Sequence, residues 1–120
     1  MRWERSRGME IHGVTLDFSL YNEDKKEVKE KYYEELLKMS TVSKNLPEGT
    51  EQERSKYLCD SIKSMFDNIF GEGTGVKVCG EDNDLLRHLD AYDQLVSEQM
   101  RQQNKYAGIM KRIRNMKVKK

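Results

Sequence analysis

Proline is almost missing from this chain: Pro47 is the only one among 120 residues. Its scarcity lets helices run long, because proline removes a backbone donor and clashes with the preceding turn. Long apolar runs are missing as well. The longest span only a few residues, so no segment has the length of a bilayer crossing, and a membrane role is not expected. Cysteine is sparse. Cys59 and Cys79 stand alone, without a CxxC spacing. Met1 to Gly8 are basic and polar with no apolar stretch behind them, so no export signal is read there, and the expected compartment is the cytoplasm with both thiols reduced.

The two histidines, His12 and His88, have no second histidine or cysteine three or four positions away. A zinc site needs three or four ligands at such spacings, so no metal is expected. The same shortage argues against a Cys–His nucleophilic pair. Cys59 borders an apolar helix face, where desolvation makes a thiol inert. The carboxylates are scattered over helix faces and no pair stands out for acid–base work. The glycine-rich stretch Gly71–Gly80, GEGTGVKVCG, follows a helix, and Lys77 is not followed by serine or threonine. A phosphate loop needs Gly-x-x-x-x-Gly-Lys-Ser/Thr opening a helix. The stretch is read as a helix stop and chain reversal, with Val76, Val78 and Cys79 in a short extended piece. No catalytic residue and no cofactor are expected.

What the chain has in abundance is charge, 36% of residues, matched by 36% apolar residues. The charge is segregated. Residues 9–100 carry twenty acidic and eleven basic side chains, whereas residues 101–120 carry eight basic and none acidic. An acidic body with a basic tail calls for an anionic partner or the acidic body of a neighbouring copy, a homo-oligomer.

Three expected segments follow. Residues 1–8, MRWERSRG, are a leader, either a genuine disordered N-terminus or not native, in which case Met9 is the natural start. Residues 9–100 form a mainly α domain of three helices with a short N-terminal β-hairpin. Residues 101–120 form a basic helical tail. The hairpin pairs Met9–Ile11 with Val14–Phe18, because Val14, Leu16, Phe18 and Leu20 alternate with polar residues and His12-Gly13 supplies a tight turn. Asn22 caps a first helix running to about Val42, with Val28, Tyr32, Leu36 and Met39 as its apolar stripe. Thr50 and Glu53 form a capping box for a second helix, Glu51 to Phe70. Its face of Leu58, Ile62, Met65, Phe66, Ile69 and Phe70 is the densest in the chain and is read as core. Gly71 ends it.

A last helix begins near Asp82 or Asn83. Its stripe is Leu85, Leu89, Tyr92 and Val96, then Gln99, Gln103, Tyr106, Met110 and Ile113, at alternating spacings of four and three. Glutamine at two seam positions predicts weak packing of the second half, or packing only against a partner. Tyr106, Met110 and Ile113, flanked by Arg112 and Arg114, are therefore the candidate partner-binding residues. Nucleic acid is an alternative partner for the basic tail. It is the less favoured one, because Tyr106 is the tail's only aromatic residue and bases would have little to stack on.

Two motifs carry a resemblance. Met9-Glu10-Ile11-His12-Gly13-Val14 is similar to the "ME-I-(N/H)-G" opening of small uncharacterised phage and prophage proteins of Gram-positive bacteria. Phe66-Asp67-Asn68-Ile69-Phe70-Gly71-Glu72-Gly73-Thr74 resembles their "F-(D/N)-D-I-F-G-E-G-T" signature. The resemblance runs from Met9 to about Met100. Those proteins in turn resemble tail assembly chaperones, which are non-enzymatic and coat the apolar tape measure protein in the host cytoplasm. The resemblance therefore implies a tape measure protein as partner. The tail departs from the pattern: relatives end in N-R-A-Q-R-R, whereas here Lys111-Arg112-Ile113-Arg114-Asn115 stands.

Overall fold

His12 and Gly13 both take positive φ, 49° and 83°, the backbone that a two-residue turn between twisted antiparallel strands requires. They join β1 (Gly8–Ile11) to β2 (Val14–Asp17), paired in the register Gly8↔Asp17 to Ile11↔Val14. The computed structural model describes residues 8–118. Residues 1–7 of the expected leader lie outside the described residues, and Gly8 already belongs to β1.

Four helices follow: α1 (Lys26–Lys44), α2 (Glu51–Phe70), α3 (Thr74–Cys79) and α4 (Leu85–Val118). The mainly α fold with a short hairpin is as the sequence predicts, but the helix count is not three. The stretch read as extended is α3. Asp67 Oδ1 accepts the Gly75 N–H at 2.7 Å, and Gly75 sits so close to α2 that a Cβ there would lie 2.4 Å from the Lys63 carbonyl oxygen. That close approach turns Val78 and Cys79 into the core, both fully buried. Left-handed glycines, Gly73 and Gly80, bound the helix on either side.

The other caps follow local chemistry. Asn22 accepts the Asp24 N–H and opens a 3₁₀ turn (Glu23–Lys25) ahead of α1. Thr50 and Glu53 form the reciprocal capping box of α2. Asp84 accepts the Arg87 N–H at 3.2 Å and opens α4.

The core is assembled on α2, where Cys59, Ile62, Met65, Phe66 and Ile69 are all buried. Phe18, the residue after β2, wedges against Tyr32 of α1 and Phe70 of α2 with centroids 5.0 and 6.0 Å away, both edge-on. Each such fully buried side chain contributes about 1.5–3 kcal/mol by leaving water. The stripe of α4 differs from the predicted one. The fully buried residues are His88, Ala91 and Leu95, whereas Leu89 is 40% exposed. The small Ala91 lets α4 approach closely, and His88, a polar residue, occupies a position that an apolarity count passes over. His88 Nδ1 lies 2.6 Å from the Asp84 carbonyl, and its Nε2 is buried without a partner.

α4 spans about 51 Å at 1.5 Å per residue. It gives the molecule extents of 64 × 33 × 22 Å. The radius of gyration is 17.2 Å, against about 13.6 Å for a compact chain of this length. The helix passes residue 100 without a break and projects beyond the body. No helix among the described residues is long and apolar enough to cross a membrane.

Candidate partner-binding face

The second half of α4 is first tied down and then left bare. Glutamines do the tying. Gln102 Oε1 accepts the Leu20 N–H at 2.8 Å, and its Nε2 donates to the Phe18 carbonyl at 2.7 Å. One side-chain amide thus satisfies two backbone groups of the segment leaving β2, as a neighbouring strand would. Tyr32 donates its hydroxyl hydrogen to Gln99 Oε1. Gln99 Nε2 donates to Gln103 at 3.3 Å, and Gln103 Nε2 donates to the Tyr33 hydroxyl at 3.3 Å. Burial pushes the Tyr32 phenol well above its ordinary pKa, so it stays a donor. The expectation of weak packing is corrected at Gln99, which is anchored on buried Tyr32, whereas Gln103 is exposed and makes only bonds of 3.3 Å.

The last anchor is Tyr106. Its ring stacks on Tyr21 at 4.4 Å with planes 5° apart, and Lys29 Nζ lies 5.6 Å from the Tyr21 ring centre. Beyond Tyr106 the helix continues for twelve residues to Val118. Ile109, Met110, Ile113 and Met116 extend the same face that packs on the body, at helical spacing. Ile113 is 47% and Met116 73% exposed. Of the predicted residues, the structure brings Tyr106, Met110 and Ile113 onto one face and sets Arg112 and Arg114 on its two flanks. Ile109 and Met116 belong to that face too. The spacing of Ile109 to Ile113 and of Ile113 to Met116 could have disclosed them. Glu98 is the last acidic residue of the chain, so nothing local offsets the basic flanks. Glu98 itself is held by Arg101, which keeps its carboxyl below the ordinary value.

Other polar clusters are structural in their contacts. His12 Nδ1 lies 2.8 Å from the Val78 carbonyl and its Nε2 2.9 Å from Asp90 Oδ2. Through these two contacts the ring latches the hairpin turn to α3 and α4. The contact keeps the Asp90 carboxyl below its ordinary value, with Gln94 assisting. Burial pushes the Cys79 thiol up to about 11 and raises Cys59 as well, the direction that makes a thiol unreactive. Among the described residues no three His, Cys, Asp or Glu side chains converge as a metal site requires. The cleft between α1 and α2, about 290 Å³, is open, with Met39, Val42 and Tyr57 among its walls and Glu35 held by Lys38 and Asn68.

Comparison with known families matches residues 12–120 to DUF6673. The chain belongs to this family of unknown function. The match includes the exposed end of α4 along with the helical body, and it carries no phage or tail-assembly assignment. No curated protein and no solved structure matches the chain.

Proposed function

We propose that this member of DUF6673 is a non-enzymatic assembly protein that grips a helical protein partner with the projecting end of α4. The observation that carries the reading is the continuity of one apolar face. Its first half packs on the body, and among the described residues its second half reaches past the body with Ile109, Ile113 and Met116 exposed. A face of isoleucine and methionine at three- and four-residue spacing suits another amphipathic helix laid alongside. Methionine adapts to irregular partner surfaces. The flanking Lys105, Arg112 and Arg114 favour a partner whose apolar stripe is edged by acids, and they steer its approach.

The partner proposed is a helical stretch of tape measure protein, kept soluble in the bacterial cytoplasm until assembly; the resemblance of Phe66–Thr74 to the signature of small phage proteins, which in turn resemble tail assembly chaperones, supports this choice. Nucleic acid is less well suited to the arm. Tyr106, the only aromatic residue there, already has one ring face on Tyr21, and base stacking needs free aromatic faces.

The test is co-expression of the full chain with the tape measure protein encoded in the same genome. A complex that survives nuclease treatment, and is lost with Ile113→Asp, is the expected result. A genome with no tape measure gene, or a complex that nuclease dissolves, overturns the reading.

A further inference from the structure

The outward side of α4 carries a second row, independent of the partner-binding stripe. Leu86, Leu89, Val96, Met100 and Ala107 recur at spacings of three, seven, four and seven, the seam positions of a heptad. Leu86 is 76%, Leu89 40% and Met100 55% exposed. At 100° per residue, this row lies on the order of 140° around the helix from the face that continues into Ile113. It is not a fringe of the core. Leucine at 76% exposure on a solvent-facing row of a long helix calls for a cover.

Charge along the same helix says what the cover is. Asp90, Asp93 and Glu98 on its first half, with Glu81, Asp82 and Asp84 just before it, stand against one basic side chain, Arg87. From Arg101 to Val118 there are six basic and none acidic. A second α4 laid parallel would set like charge on like. Laid antiparallel, it sets the basic half of each copy on the acidic half of the other, with the crossing point near Met100. We propose that two copies of this chain pair through the outward faces of α4 as an antiparallel, two-fold symmetric dimer. Such an interface is two-fold symmetric: Met100 meets Met100, and the aliphatic stems of Lys111 and Arg114 of one copy lie over Leu89 and Leu86 of the other. It leaves the Ile109–Met116 stripe of both copies free at opposite ends.

Single-cysteine crosslinking of the full chain decides the matter, because Cys59 and Cys79 are fully buried and serve as the unreactive background. With a short bismaleimide, Met100→Cys is expected to give a covalent dimer in high yield, falling severalfold in 0.5 M salt as the charge pairing is screened. Leu86→Cys alone is expected to give none, since antiparallel pairing sets its two copies about 42 Å apart along the helix. A mixture of Leu86→Cys and Arg114→Cys proteins is expected to crosslink. Self-linking of Leu86→Cys, or no dimer from Met100→Cys in low salt, overturns the proposal. Neither result bears on the tape measure complex, which is read out separately. All three positions are exposed on one helix, and an unchanged circular dichroism spectrum checks that each variant folds.

Discussion

Replacing Gln102 with alanine removes one side chain and strands two backbone groups. The Leu20 N–H and the Phe18 carbonyl both lose their partner in the Gln102 amide, at 2.8 and 2.7 Å. Leu20 is 3% and Phe18 1% exposed, so little water reaches them. Each unsatisfied buried group costs about 1–3 kcal/mol. The carboxamide itself is half-buried, which lets some solvent in and places the total near the lower end, about 2–4 kcal/mol. Urea unfolding followed at the helical circular dichroism band measures it. With a slope of about 2 kcal/mol per molar urea for a domain this small, the midpoint should drop by about 1–2 M. Gln103→Ala is the control. Its one tertiary bond, 3.3 Å to the exposed edge of Tyr33, should be worth under about 1 kcal/mol. A Gln102→Ala midpoint within error of the Gln103→Ala midpoint would refute the idea that glutamine amides moor α4.

Gly75→Ala forces a Cβ to within 2.4 Å of the Lys63 carbonyl oxygen, a backbone atom that cannot swing aside; a loss of about 2 kcal/mol or more is expected in the same urea assay. His88→Leu removes a buried nitrogen that has no partner. The Asp84 carbonyl keeps the His88 backbone N–H as a donor, so the variant should be as stable as the parent, or more stable by up to about 1 kcal/mol in thermal unfolding. Asp90 and Glu98 both have folded pKa values depressed below their ordinary 3.8 and 4.5, by His12 and by Arg101 respectively. Their stabilisation is therefore present above that range and is lost as pH falls through the depressed values. An Asp90→Asn, Glu98→Gln double variant should be less stable than the parent at neutral pH and should converge on it in acid; a constant gap across an acid titration would contradict this.

The sequence discloses what local rules govern. The His12-Gly13 turn, the Thr50–Glu53 capping box and the Phe66 face of α2 each follow from neighbours within a few residues. It conceals what depends on approach between distant segments. Nothing local says that Gly75 must pack on Lys63, and so α3 reads as a loop. Nothing local says that Gln102 will meet the Phe18–Leu20 backbone, and so a moored seam reads as a weak one. His88 and Ala91 escape an apolar count because one is polar and the other small, though both are completely buried. The stripe at Tyr106, Met110 and Ile113 is legible because helical spacing is itself local. Where the body stops beneath it is not, since that depends on Tyr21 reaching Tyr106.

The affinity of the full chain for the tape measure protein of its own genome, measured with two single variants, is the most direct check on the role given to α4. Ile113→Asp should weaken the complex at least tenfold, because it sets a carboxylate in the middle of the gripping stripe. Leu86→Asp, on the outward row of the same helix, should leave it unchanged. Equal losses from both, or full affinity in Ile113→Asp, would show that the projecting stripe is not where the partner is held.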